Sequence, residues 1–520
     1  MRLVQEEATV SHPSGLFLQP RSKDPRYRQV FDQIIARIRD GTFPAGFRLP
    51  PTRALAAELS THRNTIVRAY EDLEAAGFVT STVGKGTFVS EHVVERRSGE
   101  PYKSPAARRG LPWSSLASNA VGVEPLARSN RVTRYATPPG SIDLGRMQPS
   151  EDLLPGNLLR RCLDHVLRTQ RGRALGYAPR EGLPRLRSIV AADLTSQGVP
   201  ASAQDLVITT GSQQALDLIA RVLVNPGDPF LVDESTYAGA LKLLALAGAR
   251  LIGIAADEEG PQLAALERHL RSGAKGLYLM PNCQNPTGAR ISRARREALV
   301  SWSHQAGVPL IEDDYACDLN LDGKPMPPTL RALDGEVIYI GTYSKRLIPA
   351  LRIGYLLCPR ALRPHFAALK YAMDLGTSAL LQHAVAEFLD RGYLRAHVGA
   401  VNAEYRRRRD ALEDGLSKHL PRGVRWSHPE TGVALWLPTP PPIDPDALFE
   451  EAQRQGVLIS PGTLNGVSPS DRRGVRLLFC AEPPERLLEG ARRLGRAWAA
   501  IDRRCRTATG AGAEPRLEAV

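Results

Sequence analysis

The chain has 520 residues, with 68 Lys and Arg against 55 Asp and Glu, for a formal charge of +13. That length allows about two to four domains with ample buried core, and the positive balance favours acidic partners without locating where they bind. No apolar run approaches the ~20 residues of a membrane span, and the amino terminus lacks the apolar segment of a signal peptide. Six cysteines without paired metal-ligand spacing point to free thiols in a reducing cytoplasm and to no metal site.

The first element is an amphipathic helix over residues 27–38, with Tyr27, Val30, Phe31, Ile34, Ile35 and Ile38 on one stripe and Gly41 as its stop. Residues 43–51 read as a loop. Thr52 is expected to cap a short helix through Leu59, a turn follows near Ser60 and Thr61, and a further helix runs over about 62–76. That last helix turns Ile66, Val67, Tyr70 and Leu73 inward. Two strands at 78–80 and 87–89, joined through Gly84, Lys85 and Gly86, close the segment.

Three helices and a hairpin in this order make a winged helix-turn-helix, assigned to residues 22–90. Such a fold lays its second motif helix in the major groove of DNA. His62, Arg63, Asn64 and Thr65 stand at the amino-terminal end of that helix and can bond base edges or phosphates. Arg53 and the wing residue Lys85 are suited to backbone phosphates. A helical docking module with a solvated polar face is the plainer alternative. Eleven Lys and Arg against seven Asp and Glu over residues 21–90, a net +4, support DNA without deciding it.

Residues 91–140 hold six prolines and little periodicity, and read as a semi-flexible linker. From 141 to about 502 apolar strand patterns alternate with helices, as in an α/β domain. A smaller α+β part is expected over about 360–500, with strands at Trp426–Leu437 and Gly474–Cys480. Residues 503–520 read as a disordered tail.

Four strand exits carry chemistry. Val207-Ile208-Thr209-Thr210 leads to Gly211-Ser212-Gln213-Gln214 at a helix start, where backbone amides and the helix dipole can cradle a phosphate. The apolar run ending at Leu279 leads to Asn285-Pro286-Thr287-Gly288, a turn by composition. Leu310-Ile311 leads to Glu312-Asp313-Asp314-Tyr315. Val337–Ile340 leads to Thr342-Tyr343-Ser344-Lys345, with Arg352 seven residues on. A lysine condenses with an aldehyde and an arginine holds a phosphate; together they describe pyridoxal 5′-phosphate (PLP), whose pyridine nitrogen needs a carboxylate. Asp313 is the choice for that carboxylate, and Tyr315 can donate to the phenolic oxygen. Glu-Asp-Asp alone would be an acidic solvated loop, and each of the other exits alone a connector.

In this order and spacing the four segments resemble the aspartate-aminotransferase superfamily, fold type I of PLP proteins, from about Asp143 to Trp498. The resemblance implies that Lys345 carries the cofactor, Asp313 partners the pyridine, and Tyr315 and Asn285 bind the phenolic oxygen. It makes Ser212, Gln213, Thr342 and Arg352 phosphate-site residues and Tyr237 the aromatic against the ring. Tyr177 would reach the cofactor phosphate of a partner subunit, and Arg476 would pair with a substrate or effector carboxylate.

The amino-terminal segment Arg48–Ala56, with Arg63-Asn64-Thr65 and Gly84–Val89, resembles the GntR-type winged helix. Serine stands at position 60 where that family has glycine, which puts the entry of the recognition helix in question. A GntR-type head on an aminotransferase-like body is the arrangement of the MocR regulators. That resemblance implies a homodimeric, PLP-dependent transcriptional regulator acting on operator DNA and answering to an amino compound or to PLP itself. An active aminotransferase with an appended head is the alternative. An enzyme needs neither wing nor tether, so the head discriminates between the two.

Overall fold

The computed structural model describes residues 14–19, 24–82, 86–90, 116–132, 139–468 and 473–510. Its contacts divide the chain into two units, Met1–Ser115 and Leu116–Val520.

In the first unit, α1 (Arg26–Arg39), α2 (Thr52–Glu58) and α3 (Arg63–Ala75) precede an antiparallel hairpin of β1 (Val79–Thr82) and β2 (Gly86–Val89). The α1 stripe buries Val30, Phe31, Ile34 and Ile38, which meet Leu55, Ile66, Tyr70 and Leu73 in one core. On α3 the inward residues are Ile66, Ala69, Tyr70 and Leu73; Val67 is only half-buried. Segment 46–49, read as loop, hydrogen-bonds to β2 through Gly46 N to Val89 O and Leu49 N to Thr87 O, both at 2.9 Å. Thr52 is the first helical residue and not the cap: Pro51 takes that position, its fixed φ suited to entering a helix. Ser60 adopts φ of 47°, the left-handed conformation that glycine would take freely.

The second unit starts earlier than the composition suggests. Residues 116–132, counted as linker, carry a 3-10 turn (Asn119–Gly122) and a helix, α4 (Glu124–Val132). Pro125 does not break this helix because it lies in the first turn, where its missing N–H has no partner to lose.

A seven-stranded sheet forms the large part: β3 (Leu206–Thr209), β4 (Pro229–Asp233), β5 (Arg250–Ile254), β6 (Leu277–Leu279), β7 (Leu310–Asp314), β8 (Ile338–Thr342) and β9 (Gly354–Leu357), in spatial order β3-β9-β8-β7-β6-β4-β5. Only β9 runs against the rest. The strands β3, β7 and β8 are buried along their whole length, as expected of a sheet covered on both faces. Helix α5 (Ser212–Leu223) follows β3, and α6 (Ala238–Leu246) follows β4.

The smaller part holds the long helix α7 (Tyr393–His419), a sheet of β10 (Ala434–Leu437), β11 (Ser460–Pro461) and β12 (Val475–Leu478) in order β10-β12-β11, and α8 (Pro484–Gly510). Strands β10 and β12 are shorter than the apolar runs suggest, and Trp426 lies outside any strand. Residues 503–510, read as tail, continue α8, where Arg504 pairs with Glu451 at 3.0 Å and Arg506 with Asp502 at 2.9 Å. Ile142–Asp143 pairs with Val457–Leu458, so the start of the body also belongs to this smaller part. Among the described residues no helix is long and apolar enough to cross a membrane.

Candidate cofactor site and DNA-reading helix

The parallel strands deliver their carboxyl ends to one pocket, lined by Ser212, Gln213, Tyr237, Asn285, Asp313, Tyr315, Thr342, Lys345, Arg352 and Arg476, with Met147, Met280 and Ser344. Ligands in open α/β sheets collect at such ends because loops converge there and helices begin there.

Strand geometry explains why three consecutive acids differ. Side chains alternate across a strand, so Glu312 and Asp314 point away from the face that Asp313 uses. Glu312 accepts from the backbone of Leu330 and Arg331 at 3.1 and 2.9 Å. Asp314 accepts from Asn282 Nδ2 at 2.9 Å and from the Tyr339 hydroxyl at 2.7 Å. Asp313 alone lines the pocket. Its Oδ2 accepts from the Tyr278 hydroxyl at 2.8 Å, while Oδ1 is buried without a hydrogen-bond partner. Burial pushes its carboxyl up to about 7, against the Tyr278 hydrogen bond, which favours the carboxylate.

Lys345 follows β8 and donates from Nζ to the Met147 carbonyl at 2.7 Å. Burial lowers its pKa from the ordinary lysine value, and the nearby Arg476 and Arg352 push it the same way. A larger fraction of the amine is therefore neutral and able to attack an aldehyde. Gly211 caps α5 with φ of 84°, and a Cβ there would lie 2.8 Å from the Arg352 guanidinium. Arg352 donates to Ser344 Oγ at 3.3 Å and to the Thr210 carbonyl at 3.2 Å. Thr342, Ser344, Arg352 and the amino terminus of α5 thus form one concave donor set suited to a dianion.

In the same first turn of α5, Gln213 Nε2 donates to the Tyr237 hydroxyl at 2.6 Å. Arg476, on β12, donates to Asn285 Oδ1 at 2.7 Å and to the Gly145 carbonyl at 3.3 Å. Asn285 is therefore joined to the arginine, whereas the Tyr315 hydroxyl lies 3.1 Å from Cys283 Sγ. A lysine of lowered pKa, a buried carboxyl with a free oxygen, a phosphate-sized donor set and a buried guanidinium fit the aldehyde, pyridine nitrogen, phosphate and carboxylate of PLP and an amino acid.

Tyr177 is not brought to the pocket; it is 85% exposed on this chain. Tyr278, which holds Asp313, escapes the sequence because only strand pairing brings it near, and Cys283, near the site by sequence, has no role there until its contact with Tyr315 is seen. Ser344, inside the Thr342–Lys345 motif, also lines the pocket, a role the sequence alone does not assign.

In the first unit His62 is the amino-terminal cap of α3, and Arg63, Asn64 and Thr65 form its first turn. His62, Arg63, Asn64 and Arg53 are exposed and Thr65 is half-buried. Thr61 does not cap the helix, and its hydroxyl is buried without a hydrogen-bond partner. Lys85 lies outside the described residues.

Residues 149–494 match the family described as aminotransferase class I and II, and residues 26–89 match the gntR family of bacterial regulatory proteins. The chain is 30% identical over 485 residues to the probable rhizopine catabolism regulatory protein MocR of Rhizobium meliloti, covering 92% of this chain and 94% of that one. It is 29% identical over 493 residues to the HTH-type transcriptional regulator TauR of Rhodobacter capsulatus, covering 93% and 98%. The crystal structure of LysN, the α-aminoadipate aminotransferase of Thermus thermophilus, superposes with a TM-score of 0.69 at 30% identity, covering 76% of this chain and all (100%) of that one. The chain belongs to the MocR-type transcriptional regulators, in which a gntR-family DNA-binding head is fused to a class I and II aminotransferase domain with PLP as its cofactor.

Proposed function

We propose that the body holds PLP through Lys345 and senses an amino compound, or PLP itself, and that this changes how two winged helices grip operator DNA. The observation that carries the reading is the convergence of Lys345, Asp313, Arg352 and Arg476 on one pocket in a chain that also carries a DNA-reading head. PLP supplies an aldehyde that condenses with amines and a ring that takes up electrons when a bond at the amine-bearing carbon weakens. Lys345 offers a neutral amine. Asp313 keeps a proton at the pyridine nitrogen, and Tyr315 donates to the phenolic oxygen. Ser212, Gln213, Thr342 and Arg352 bind the phosphate, Tyr237 lies against the ring, and Arg476, oriented by Asn285, receives the carboxylate of the effector.

The head reads bases through His62, Arg63, Asn64 and Thr65, and binds phosphates through Arg53 and Lys85. In this reading the protein works in the cytoplasm as a homodimer. The exposure of Tyr177, beside Leu175 at 67% exposed, supports a partner subunit that covers them. A coupling of only ~1–3 kcal/mol between the effector site and the operator is enough for regulation.

Borohydride reduction of the PLP-loaded protein tests the cofactor assignment: the label is expected on the peptide containing Lys345, and a label on another lysine contradicts it. Footprinting tests the dimer, with two half-sites expected and a single half-site contradicting paired heads.

A further inference from the structure

Helix α4 lies in the chain between the DNA-binding head and the sheet domain, and one buried cation fastens it. Arg128 is 5% exposed. Its guanidinium donates to Glu124 through Nε at 2.7 Å and through Nη2, and Nη1 donates to the Thr463 carbonyl and, at 2.9 Å, to the Gly466 carbonyl. The next residue, Ser129, accepts from Lys242 Nζ at 3.1 Å. A buried guanidinium is costly unless its charge and donors are met; Glu124, on the same helix, meets the charge, and the Thr463 and Gly466 carbonyls make the clip.

The clipped loop is part of the pocket's frame. It follows β11, whose Ser460 pairs with Arg476. It is stitched to residues 234–236 by Val467 N to Glu234 O at 2.8 Å, Thr236 N to Asn465 O at 2.9 Å, and Asn465 Nδ2 to Thr236 O at 2.9 Å. Thr236 and Asn465 are buried, and the following residue is Tyr237, which lines the pocket and caps α6. Lys242, the partner of Ser129, lies on that same α6. Helix α4 therefore grips two elements that each begin beside a pocket residue.

We propose that α4 is the coupling element of this regulator, with Arg128 as its clip. Occupation of the pocket between Tyr237 and Arg476 fixes loop 462–467, the docking of α4 tightens with it, and the change passes along the chain to the head. This rests on the function proposed above. It names a physical route: a docked or released helix that the pocket biases on one side and the tether on the other. Reciprocity follows, since whatever strengthens α4 docking on ligand binding must strengthen ligand binding on docking by the same factor.

Hydrogen–deuterium exchange on the full chain, with PLP as the probe, reads the docking directly. In the wild type, PLP is expected to slow exchange of residues 124–132 by about 5–150-fold, the range of an allosteric coupling. In Arg128→Ala and Arg128→Lys the slowing is expected to fall within about twofold, while PLP still binds with affinity lowered by no more than the lost factor. The PLP-dependent change in affinity for the footprinted operator duplex should vanish in both variants. Arg128→Lys keeps the charge, and so separates loss of the fork from a helix that fails to fold. Exchange indifferent to PLP in the wild type, or equally sensitive in Arg128→Lys, overturns the clip. Absence of the PLP absorption band in the same samples overturns the functional reading and the clip together.

Discussion

The α3 amino terminus and the cofactor pocket are built from overlapping residue types by opposite means. At α3, the proposed base-reading residues His62, Arg63 and Asn64 are exposed. In the pocket, burial has raised Asp313, lowered Lys345 and lowered Arg476 before any ligand contributes. A reader of DNA must be open to a large polyanion, so its specificity arises only in the complex. A covalent small-molecule site must be dry and pre-arranged, because a solvated lysine is protonated and a solvated carboxylate holds no proton at a neighbouring nitrogen. Loss of one pocket residue should therefore cost more than loss of one exposed α3 residue.

Asp313→Asn should cost most. It leaves the pyridinium without its buried counter-charge and is expected to weaken PLP binding by about 2–5 kcal/mol, the cost of truncating a buried charge pair. Equilibrium titration followed by absorbance measures it, and a loss near zero would place the carboxylate elsewhere. Arg63→Ala is expected to cost about 1–3 kcal/mol of operator affinity and to relax preference at one base position. Fluorescence anisotropy against a panel of singly changed operators reads both effects. Ser60→Gly should be smallest, stabilising the head by up to about 1 kcal/mol, because φ of 47° strains serine and not glycine. Thermal unfolding of the full chain detects the shift.

The same contrast has a pH signature. In the proposed site PLP pairs with the Asp313 carboxylate, whose carboxyl is raised to about 7, so protonation should compete with binding below that value. PLP affinity should rise with pH from about 5 to 7, and Asp313→Asn should flatten that part of the profile.

Legibility in the sequence follows how local each arrangement is. Lys345, Asp313 and Gly211-Ser212-Gln213 were readable because a strand exit fixes what its next few residues face. The order of three helices and a hairpin was readable for the same reason, through the periodic stripe on α1. Tyr278 supporting Asp313 depends on register between strands remote in the chain, and the contact of Cys283 with Tyr315 on a loop that only the fold brings there. Helix α4 was missed because Pro125 and scattered arginines resemble linker composition, although a proline in a first turn breaks nothing. The end of α8 was missed because its partner Glu451 is remote in sequence.

In the proposed function, loading the pocket changes how the head grips operator DNA. Operator affinity of the full chain, measured without PLP and with saturating PLP in the wild type and in Lys345→Ala, tests it most directly. The expected result is a change of about 5–150-fold on loading the wild type and none in the variant. Equal operator affinity in loaded and unloaded wild type, with PLP shown to be bound at Lys345 and no further change on adding a panel of amino acids, would contradict it.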